Sequence, residues 1–156
     1  MNTEIIYRPM NSLDDEEKII LRTLTLEDFA DGRRSLVRRW LDKYSNQEYF
    51  HTAIVYSNRK IIGWAAANMV ESWNNGMIGV FIKQEYRRNG YAKQALEILL
   101  PKLKEIYPEW PEYLVYMKEK EKLFSHLVEI YGFKDYFKNI EEYNEKQRKA
   151  ISGISD

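Results

Sequence analysis

The sequence predicts an α/β protein built on a mixed sheet of six to seven strands, flanked by about four helices. Strand-like and helix-like segments follow one another in the order β-α-α-β-β-β-α-β-α-β. The central strands are joined by short turns, as in antiparallel hairpins, and the later strands are separated by helices, as in strand-helix-strand units. Of the 156 residues, 44% are hydrophobic, so we expect one domain with a packed core.

The first half of the chain predicts one strand, two helices and a hairpin. A strand over residues 4–8 ends at Pro9, and either Asn11 or Ser12 is expected to cap the next helix, because acidic residues fill its first turn. A second helix is predicted after Thr25. Its apolar face consists of Phe29, Leu36, Val37, Trp40, Leu41 and Tyr44. The hairpin pairs residues 49–56 with residues 61–70 through a tight turn.

The second half predicts three more strands and two helices. The strands cover residues 77–82, 113–117 and 133–137. The helices cover residues 91–106 and 123–130, and Gly132 ends the second of them. We therefore expect a single domain in residues 1–138, followed by a polar tail in residues 139–156 that can form a loosely attached helix.

Composition excludes several classes of function. The absence of cysteine excludes disulfides, thiolate catalysis and cysteine-based metal sites. The two histidines, His51 and His126, lack metal-ligand spacing, so we expect no metal. The 24 basic and 24 acidic side chains balance, which argues against a dedicated binder of nucleic acid or anionic membrane. No apolar run approaches the ~20 residues of a membrane span and no signal-peptide pattern is present, so we expect a cytoplasmic protein.

The junction between the strand at residues 77–82 and the helix at residues 91–106 predicts an anion site. Gly90 permits a positive φ and a close approach of a ligand, and the backbone N–H groups of residues 89–92 fall at the helix N-terminus. Arg87 and Arg88 add positive charge, and Ala92 leaves room for a phosphate. On this pattern alone, an ordinary strand-to-helix turn stays open as the alternative.

The same segment carries a family resemblance. RRNGYA at residues 87–92 matches the R/Q-x-x-G-x-G/A signature of the GNAT acetyltransferase superfamily, and EIYGFK at residues 129–134 resembles the end of that family's last helix. The resemblance implies a GNAT fold with acetyl-CoA or coenzyme A as cosubstrate. It implies that the pyrophosphate is held by Arg87, Arg88, Asn89, Gly90, Tyr91 and Ala92.

The resemblance also implies the path of the rest of acetyl-CoA. The pantetheine arm is expected to run along Val80, Phe81 and Ile82, and a backbone N–H near Phe81 or Ile82 would polarise the thioester carbonyl. A bulge at Gly79 is expected to separate this strand from the next and admit the arm.

The implied reaction is acetyl transfer to a primary amine of a small molecule or a protein, but the usual catalytic positions of the family are changed. A tyrosine expected four residues before Gly132 is Val128, and an asparagine seven residues earlier is Glu121. The substitutes for a base and an acid are Glu71, Tyr116 and Ser125. His51 is a further residue that could reach the substrate.

Two other functions stay open at this point. The changed catalytic positions are compatible with a degenerate module that binds coenzyme A or a protein partner without turnover. A nucleic-acid binder is the weakest alternative, and its basic helix would carry Arg33, Arg34, Arg38 and Arg39. A homodimer is also left open.

Overall fold

The computed structural model of the chain describes residues 2–27, 48–70 and 74–152. Within these residues, six strands form one sheet in the order β1-β2-β3-β4-β5-β6. The strands are β1 (Thr3–Pro9), β2 (Phe50–Ser57), β3 (Lys60–Val70), β4 (Asn75–Ile82), β5 (Tyr113–Val115) and β6 (Lys134–Asp135). The helices are α1 (Asp15–Glu27), α2 (Tyr91–Ile106), α3 (Glu121–Ile130) and α4 (Ile140–Ser152). The first four strands pair antiparallel and the last three pair parallel, which confirms the predicted mixed sheet.

The helix α1 begins later than the sequence predicted. Asn11 and Ser12 belong to a 3₁₀ turn, and the cap is Asp14, whose Oδ1 accepts the backbone N–H of Glu17 at 2.8 Å. The Glu17 Oε1 in turn accepts the N–H of Asp14 at 3.0 Å. This reciprocal capping box satisfies two N–H groups at once, and so the prediction of Asn11 or Ser12 as the cap was wrong. The second helix was predicted to follow Thr25, but α1 continues through Thr25 to Glu27. The residues predicted to form the apolar face of that second helix, from Phe29 to Tyr44, lie outside the described residues.

The hairpin and α2 agree closely with the predictions. Asn58 and Arg59 form the two-residue turn between β2 and β3, with φ angles of 50° and 69°. This left-handed pair fits the twist of the two strands that it joins. The helix α2 has the predicted bounds of residues 91–106. The strand β4 begins at Asn75, two residues earlier than predicted, and β5 and β6 are shorter than predicted.

The two faces of the sheet bury two separate cores. The larger core lies between the sheet and the helices α2 and α3, and Leu96, Leu99 and Leu103 of α2 are its centre. The smaller core lies under α1, where Trp64 donates from Nε1 to Thr25 Oγ1 at 2.9 Å. Because side chains alternate between the faces of a strand, Val80 and Ile82 belong to the larger core and Phe81 to the smaller.

The polar C-terminal segment is held more firmly than its composition led us to expect. Tyr143 of α4 is buried, and its hydroxyl accepts a hydrogen bond from Asn75 Nδ2 at 2.8 Å. Lys146 pairs with Glu112 at 2.9 Å in front of β5. The helix α4 is therefore anchored to the start of β4 and to the segment that leads into β5.

Candidate active site

The strands β4 and β5 separate after three residue pairs. Asn75, Gly76 and Met77 pair with Tyr113–Val115, where β5 ends, but β4 continues to Ile82. The second half of β4 pairs with β3 along one edge, and its other edge has no described strand beside it. We call the space along that edge, beside residues 78–82, the β4–β5 gap.

Backbone groups of alternate β4 residues face the gap. Lys83 donates its N–H to Ile62 O at 2.8 Å, so residues of the same parity as Lys83, including Phe81, direct their N–H and C=O groups toward β3. Val80 and Ile82 have the opposite parity, and their backbone groups therefore face the gap. The gap thus offers an extended ligand a strand edge that pairs with no other described strand.

Two cationic side chains confirm this orientation, because each contacts a gap-facing carbonyl. Lys120 donates from Nζ to Val80 O at 3.2 Å, and Arg87 donates from Nε to Ile82 O at 2.9 Å. The Arg87 bond fixes the guanidinium at the end of β4, where the chain turns toward α2. Positive charge therefore borders the gap at the Ile82 end, which we call its mouth, and again beside Val80.

The turn from β4 to α2 exposes the helix N-terminus. Arg88 and Gly90 both have positive φ, 66° and 79°, and the Asn89 side chain donates from Nδ2 to Tyr86 O at 3.0 Å and to Arg87 O at 3.3 Å. Asn89 thereby holds the turn without blocking the helix, whose N-cap residue Gly90 makes no side-chain cap. The first-turn N–H groups remain directed outward.

Open space in front of this N-terminus makes it suitable for an anion. A Cβ placed on Gly90 would meet only Gln94 Nε2, at 3.6 Å. The partial positive charge of the helix dipole and the unsatisfied N–H groups both favour a phosphate there. The turn brings together, at one end of the gap, the residues predicted to hold a pyrophosphate: Arg87, Arg88, Asn89, Gly90, Tyr91 and Ala92. Their role in binding stays a prediction.

Gly79 does not form the expected bulge. The pairing of β3 with β4 runs without a register shift through Ala66 and Gly79. A Cβ on Gly79 would lie 3.0 Å from the Phe81 ring, so the glycine makes room for that ring on the α1 side of the sheet. The gap arises instead because β5 is short, so the prediction of a bulge was wrong.

The candidate acid Tyr116 is part of the core. Its side chain is 4% exposed, stacks on Phe124 with ring centroids 5.1 Å apart, and donates its hydroxyl to Asp135 Oδ2 at 2.6 Å. Burial raises the pKa of Tyr116, and the hydrogen bond to Asp135 raises it further. The hydroxyl can reach a leaving thiolate only by giving up its bond to Asp135.

Asp135 is a buried carboxylate that sequence reasoning missed. It is 0% exposed, and Oδ1 accepts the N–H groups of Phe137 at 2.8 Å and Lys138 at 3.2 Å. Burial acts to raise the pKa of Asp135, but the hydrogen bonds from Tyr116 and from the backbone outweigh it and the pKa is lowered. Asp135 therefore organises the turn from β6 toward α4.

Of the other two catalytic candidates, the structure describes Ser125 but not Glu71. Ser125 Oγ is buried beside the pair of Tyr116 and Asp135 and has no well-formed hydrogen bond of its own. Glu71 lies outside the described residues, directly after Val70, which pairs with Asn75 at the end of β3. Val128, at the position where the family has a tyrosine, is fully buried.

His51 is a structural histidine. Its Nδ1 lies 2.6 Å from the Tyr7 hydroxyl and its Nε2 lies 2.6 Å from the Tyr107 hydroxyl. Burial lowers the pKa of His51 to about 4, so the ring is neutral at pH 7 and donates to one tyrosine while it accepts from the other. With both ring nitrogens engaged, His51 does not reach the gap.

Lys120 is a second residue that sequence reasoning passed over. It belongs to a 3₁₀ turn between β5 and α3, and only the tertiary fold brings its ammonium group to Val80 O. The available signal was its neighbour Glu121, which stands at a position where the family often contacts pantetheine.

The described residues offer neither a metal site nor a membrane-spanning helix. Residues 2–27, 48–70 and 74–152 contain no group of three or more His, Cys, Asp or Glu side chains that could hold a metal ion. In the same residues, no helix is both long and apolar enough to cross a membrane. The predicted arginine-rich helix lies outside the described residues.

A family comparison agrees with the resemblance read from the sequence. The model of the acetyltransferase (GNAT) family matches residues 14–129. This range includes β4, the turn at Gly90, α2 and all but the last residue of α3. No curated protein is similar enough in sequence to count as a relative.

Solved structures share the fold at low sequence identity. An acyl-CoA N-acyltransferase from Pseudomonas aeruginosa aligns with a TM-score of 0.57 at 15% identity, over 70% of this chain and 75% of that one. The aminoglycoside N-acetyltransferase AAC(6')-Iy in complex with CoA aligns with a TM-score of 0.57 at 13% identity, over 85% and 88%. A predicted acetyltransferase with acetyl-CoA from Clostridium acetobutylicum aligns with a TM-score of 0.54 at 21% identity, over 86% and 91%.

Proposed function

The chain belongs to the acetyltransferase (GNAT) family, and we propose that it transfers an acetyl group from acetyl-CoA directly to a primary amine, with the β4–β5 gap as the cosubstrate site. One observation carries the site assignment. The gap-facing edge of β4 ends at the open N-terminus of α2, so one continuous surface offers a strand edge to an amide chain and N–H groups to a phosphate.

The residues at the mouth of the gap fit the pyrophosphate of coenzyme A. The N–H groups of Gly90, Tyr91 and Ala92 supply donors, and the open space at Gly90 admits the phosphate oxygens. Arg87 and Arg88 supply positive charge, and Asn89 fixes the turn through its bonds to Tyr86 O and Arg87 O.

The edge of β4 fits the pantetheine arm, which carries two amide groups. Val80 and Ile82 direct their backbone groups to the gap. Their carbonyls already accept from Lys120 and Arg87, so their N–H groups are the donors that we assign to the amide carbonyls of the arm. The N–H of Val80 or Ile82 is also suited to polarise the thioester carbonyl and to stabilise the oxyanion. The expectation that the Phe81 N–H polarises the thioester was wrong, because the backbone groups of Phe81 are directed toward β3 and its ring is buried in the smaller core.

Acetyl transfer requires the acceptor to lose protons. A primary amine with a pKa of ~10.4 is charged at pH 7 and must first release one proton to a base or a water chain. We keep Glu71 as the candidate base, because it directly follows Val70 in the chain, and Val70 pairs with Asn75 of β4. Orientation of the amine against the thioester supplies much of the remaining rate.

The proposed acceptor is a primary amine. An amine of a small molecule or a protein is expected, and aminoglycosides are acceptors named for relatives of the same fold. The cytoplasmic location and a homodimer stay predictions from the sequence.

A binding module without turnover is the second candidate function. The observation in its favour is that Tyr116 and Ser125, two of the three catalytic candidates, are buried beside Asp135. Such a module would bind coenzyme A and acetyl-CoA equally well but would leave the thioester intact with every amine.

Calorimetric titration with acetyl-CoA, coenzyme A and dephospho-coenzyme A tests the site. We expect micromolar binding of acetyl-CoA and coenzyme A, and no binding by a folded protein would contradict the proposal. Release of the coenzyme A thiol is then measured against a panel of primary amines. A rate that rises with an amine supports the enzyme, and binding without release for any amine supports the module.

A further inference from the structure

Lys120 places a primary amine of the chain itself in the β4–β5 gap. Its Nζ lies 3.2 Å from Val80 O and 5.8 Å from the centroid of the Phe81 ring. The side chain is half-buried. Since Phe81 belongs to the core under α1, the ammonium group stands where the gap opens toward the α1 side of the sheet.

We propose that Lys120 is an internal acyl acceptor, so that the protein acetylates its own Lys120 from acetyl-CoA bound in the gap. This inference rests on the proposed function, because it needs the thioester to lie along β4. It extends that function by naming a modification site on the chain and by giving the acetyl group an acceptor that is already present.

The backbone of Val80 can bring the amine and the thioester together. In a strand, the N–H and the C=O of one residue point to the same edge, so both groups of Val80 face the gap. The carbonyl holds Lys120 Nζ, and the N–H is one of the two donors proposed for the thioester carbonyl. Amine and thioester would then contact the same residue from the same side.

Holding the two reactants against one residue replaces a bimolecular step by an intramolecular one. Effective concentrations in well-oriented intramolecular reactions reach roughly 10⁵ M or more. Even a small part of this advantage would make acetylation of Lys120 faster than acetylation of lysines elsewhere on the surface. The acetylation is therefore expected to be selective for Lys120 and first order in protein.

The chemistry balances without a further reactant. The Lys120 ammonium first loses one proton to solvent, and the free amine then attacks the thioester carbonyl carbon. A bond forms between Nζ and that carbon, and the bond from carbon to sulfur breaks. The second proton lost by the nitrogen ends on the leaving thiolate, so the products are acetyl-Lys120 and coenzyme A with a free thiol.

Neighbouring lysines provide matched comparisons. Lys118 belongs to the same 3₁₀ turn, but its Nζ lies over the Phe137 ring at 6.0 Å rather than at the edge of β4. Lys122 is exposed on α3. Both amines share the local sequence of Lys120 but not its contact with Val80 O.

The experiment incubates the purified full-length chain with acetyl-CoA that carries a deuterated acetyl group and maps labelled lysines by peptide mass spectrometry. We expect Lys120 to be labelled at least tenfold faster than Lys118 and Lys122, at a rate constant independent of protein concentration. Labelling at position 120 should disappear in Lys120→Arg, and labelling of Lys120 should continue in Lys118→Arg. In Gly90→Asp, which weakens coenzyme A binding, labelling of Lys120 should fall at least tenfold. Circular dichroism checks that each variant is folded.

Three results would overturn the inference. These are equal labelling of all three lysines, a rate constant proportional to protein concentration, and no labelling of Lys120 in a chain that binds acetyl-CoA by calorimetry. The calorimetric control separates the two proposals, because a folded chain that fails to bind acetyl-CoA contradicts the proposed function as well. Binding without labelling contradicts only the internal acceptor.

Discussion

Tyr116 donates its hydroxyl to Asp135 Oδ2 at 2.6 Å, so the side chain that sequence reasoning proposed as a catalytic acid is tied to a buried carboxylate. The bond joins the segment after β5 to β6 and lies against Phe124 and Phe137. It is a contact that stabilises the parallel half of the sheet, and it has consequences for both activity and stability.

We expect Tyr116→Phe to lower stability while preserving acetyl transfer. The variant leaves Asp135 with one hydrogen bond fewer, and a hydrogen bond to a buried charged group contributes about 2 kcal/mol to the free energy of unfolding. Denaturant unfolding measures that loss, and kcat should stay within about twofold of the wild type. A catalytic acid would instead contribute ~10²-fold or more, so a loss of that size in a folded variant would restore Tyr116 as the acid.

We expect Asp135→Asn to reduce the loss in the free energy of unfolding that the protein shows at acid pH. The pKa of Asp135 is lowered in the folded protein, so its stabilising effect is complete above the ordinary value of 3.8 and is lost as the pH falls through the folded pKa. Free energies of unfolding at pH 7 and pH 3 should therefore differ less in the variant than in the wild type. The exposed Glu109→Gln is the matched control, and an equal reduction there would contradict the assignment.

The parts of the fold that follow from local sequence were predictable. The helix α2 has a strong apolar period and a glycine at its start, and its predicted bounds are those observed. The turn is marked by Asn58, a residue that tolerates the left-handed conformation, whereas Arg59 adopts the same conformation without being favoured there. The signature residues 87–92 were predicted to lie between a strand and a helix. The structure places them there, between the end of β4 and the first turn of α2.

The remaining features depend on contacts between distant segments. Asp135 is buried because Tyr116 supplies a donor nineteen residues away, and no local pattern marks that partner. Lys120 reaches Val80 O over a separation of forty residues, and the early end of β5 that opens the gap is visible only in the sheet. The cap at Asp14 was missed for a different reason, because several acidic residues compete for that role and only the bond with Glu17 selects one.

We expect His51→Gln to reduce the loss of stability between pH 6.5 and pH 4. Burial lowers the pKa of His51 to about 4, so the unfolded chain binds a proton in this range and the folded chain does not. The contribution of His51 to the free energy of unfolding should fall by about 2 kcal/mol from pH 6.5 to pH 4.5. Chemical denaturation at both pH values measures it. The exposed His126→Gln should retain the full loss, and identical profiles for both variants would contradict the prediction.

We expect Tyr143→Ala to destabilise the protein and thereby show that α4 is part of the folded unit. The ring is buried against Tyr113, with centroids 5.1 Å apart, and the hydroxyl accepts from Asn75 Nδ2. Removal of a buried aromatic ring costs about 3 kcal/mol in the free energy of unfolding. Ile151→Ala is the control on the same helix, because Ile151 is 79% exposed. Equal stability of the two variants would mean that α4 is not anchored through Tyr143.

We expect Gly90→Asp to weaken coenzyme A binding at least tenfold more than Gly90→Asn does. Both side chains have the same size, and both must adopt the φ of 79° that Gly90 has, which Asn and Asp tolerate better than most residues. The two variants therefore share any strain in the turn and differ in a single negative charge at the N-terminus of α2. That charge would repel a pyrophosphate, whereas a turn without an anion site would not distinguish the two variants. Calorimetric titration of both with coenzyme A gives the ratio of Kd values, and a ratio near one in folded proteins would remove the pyrophosphate from this end of the gap.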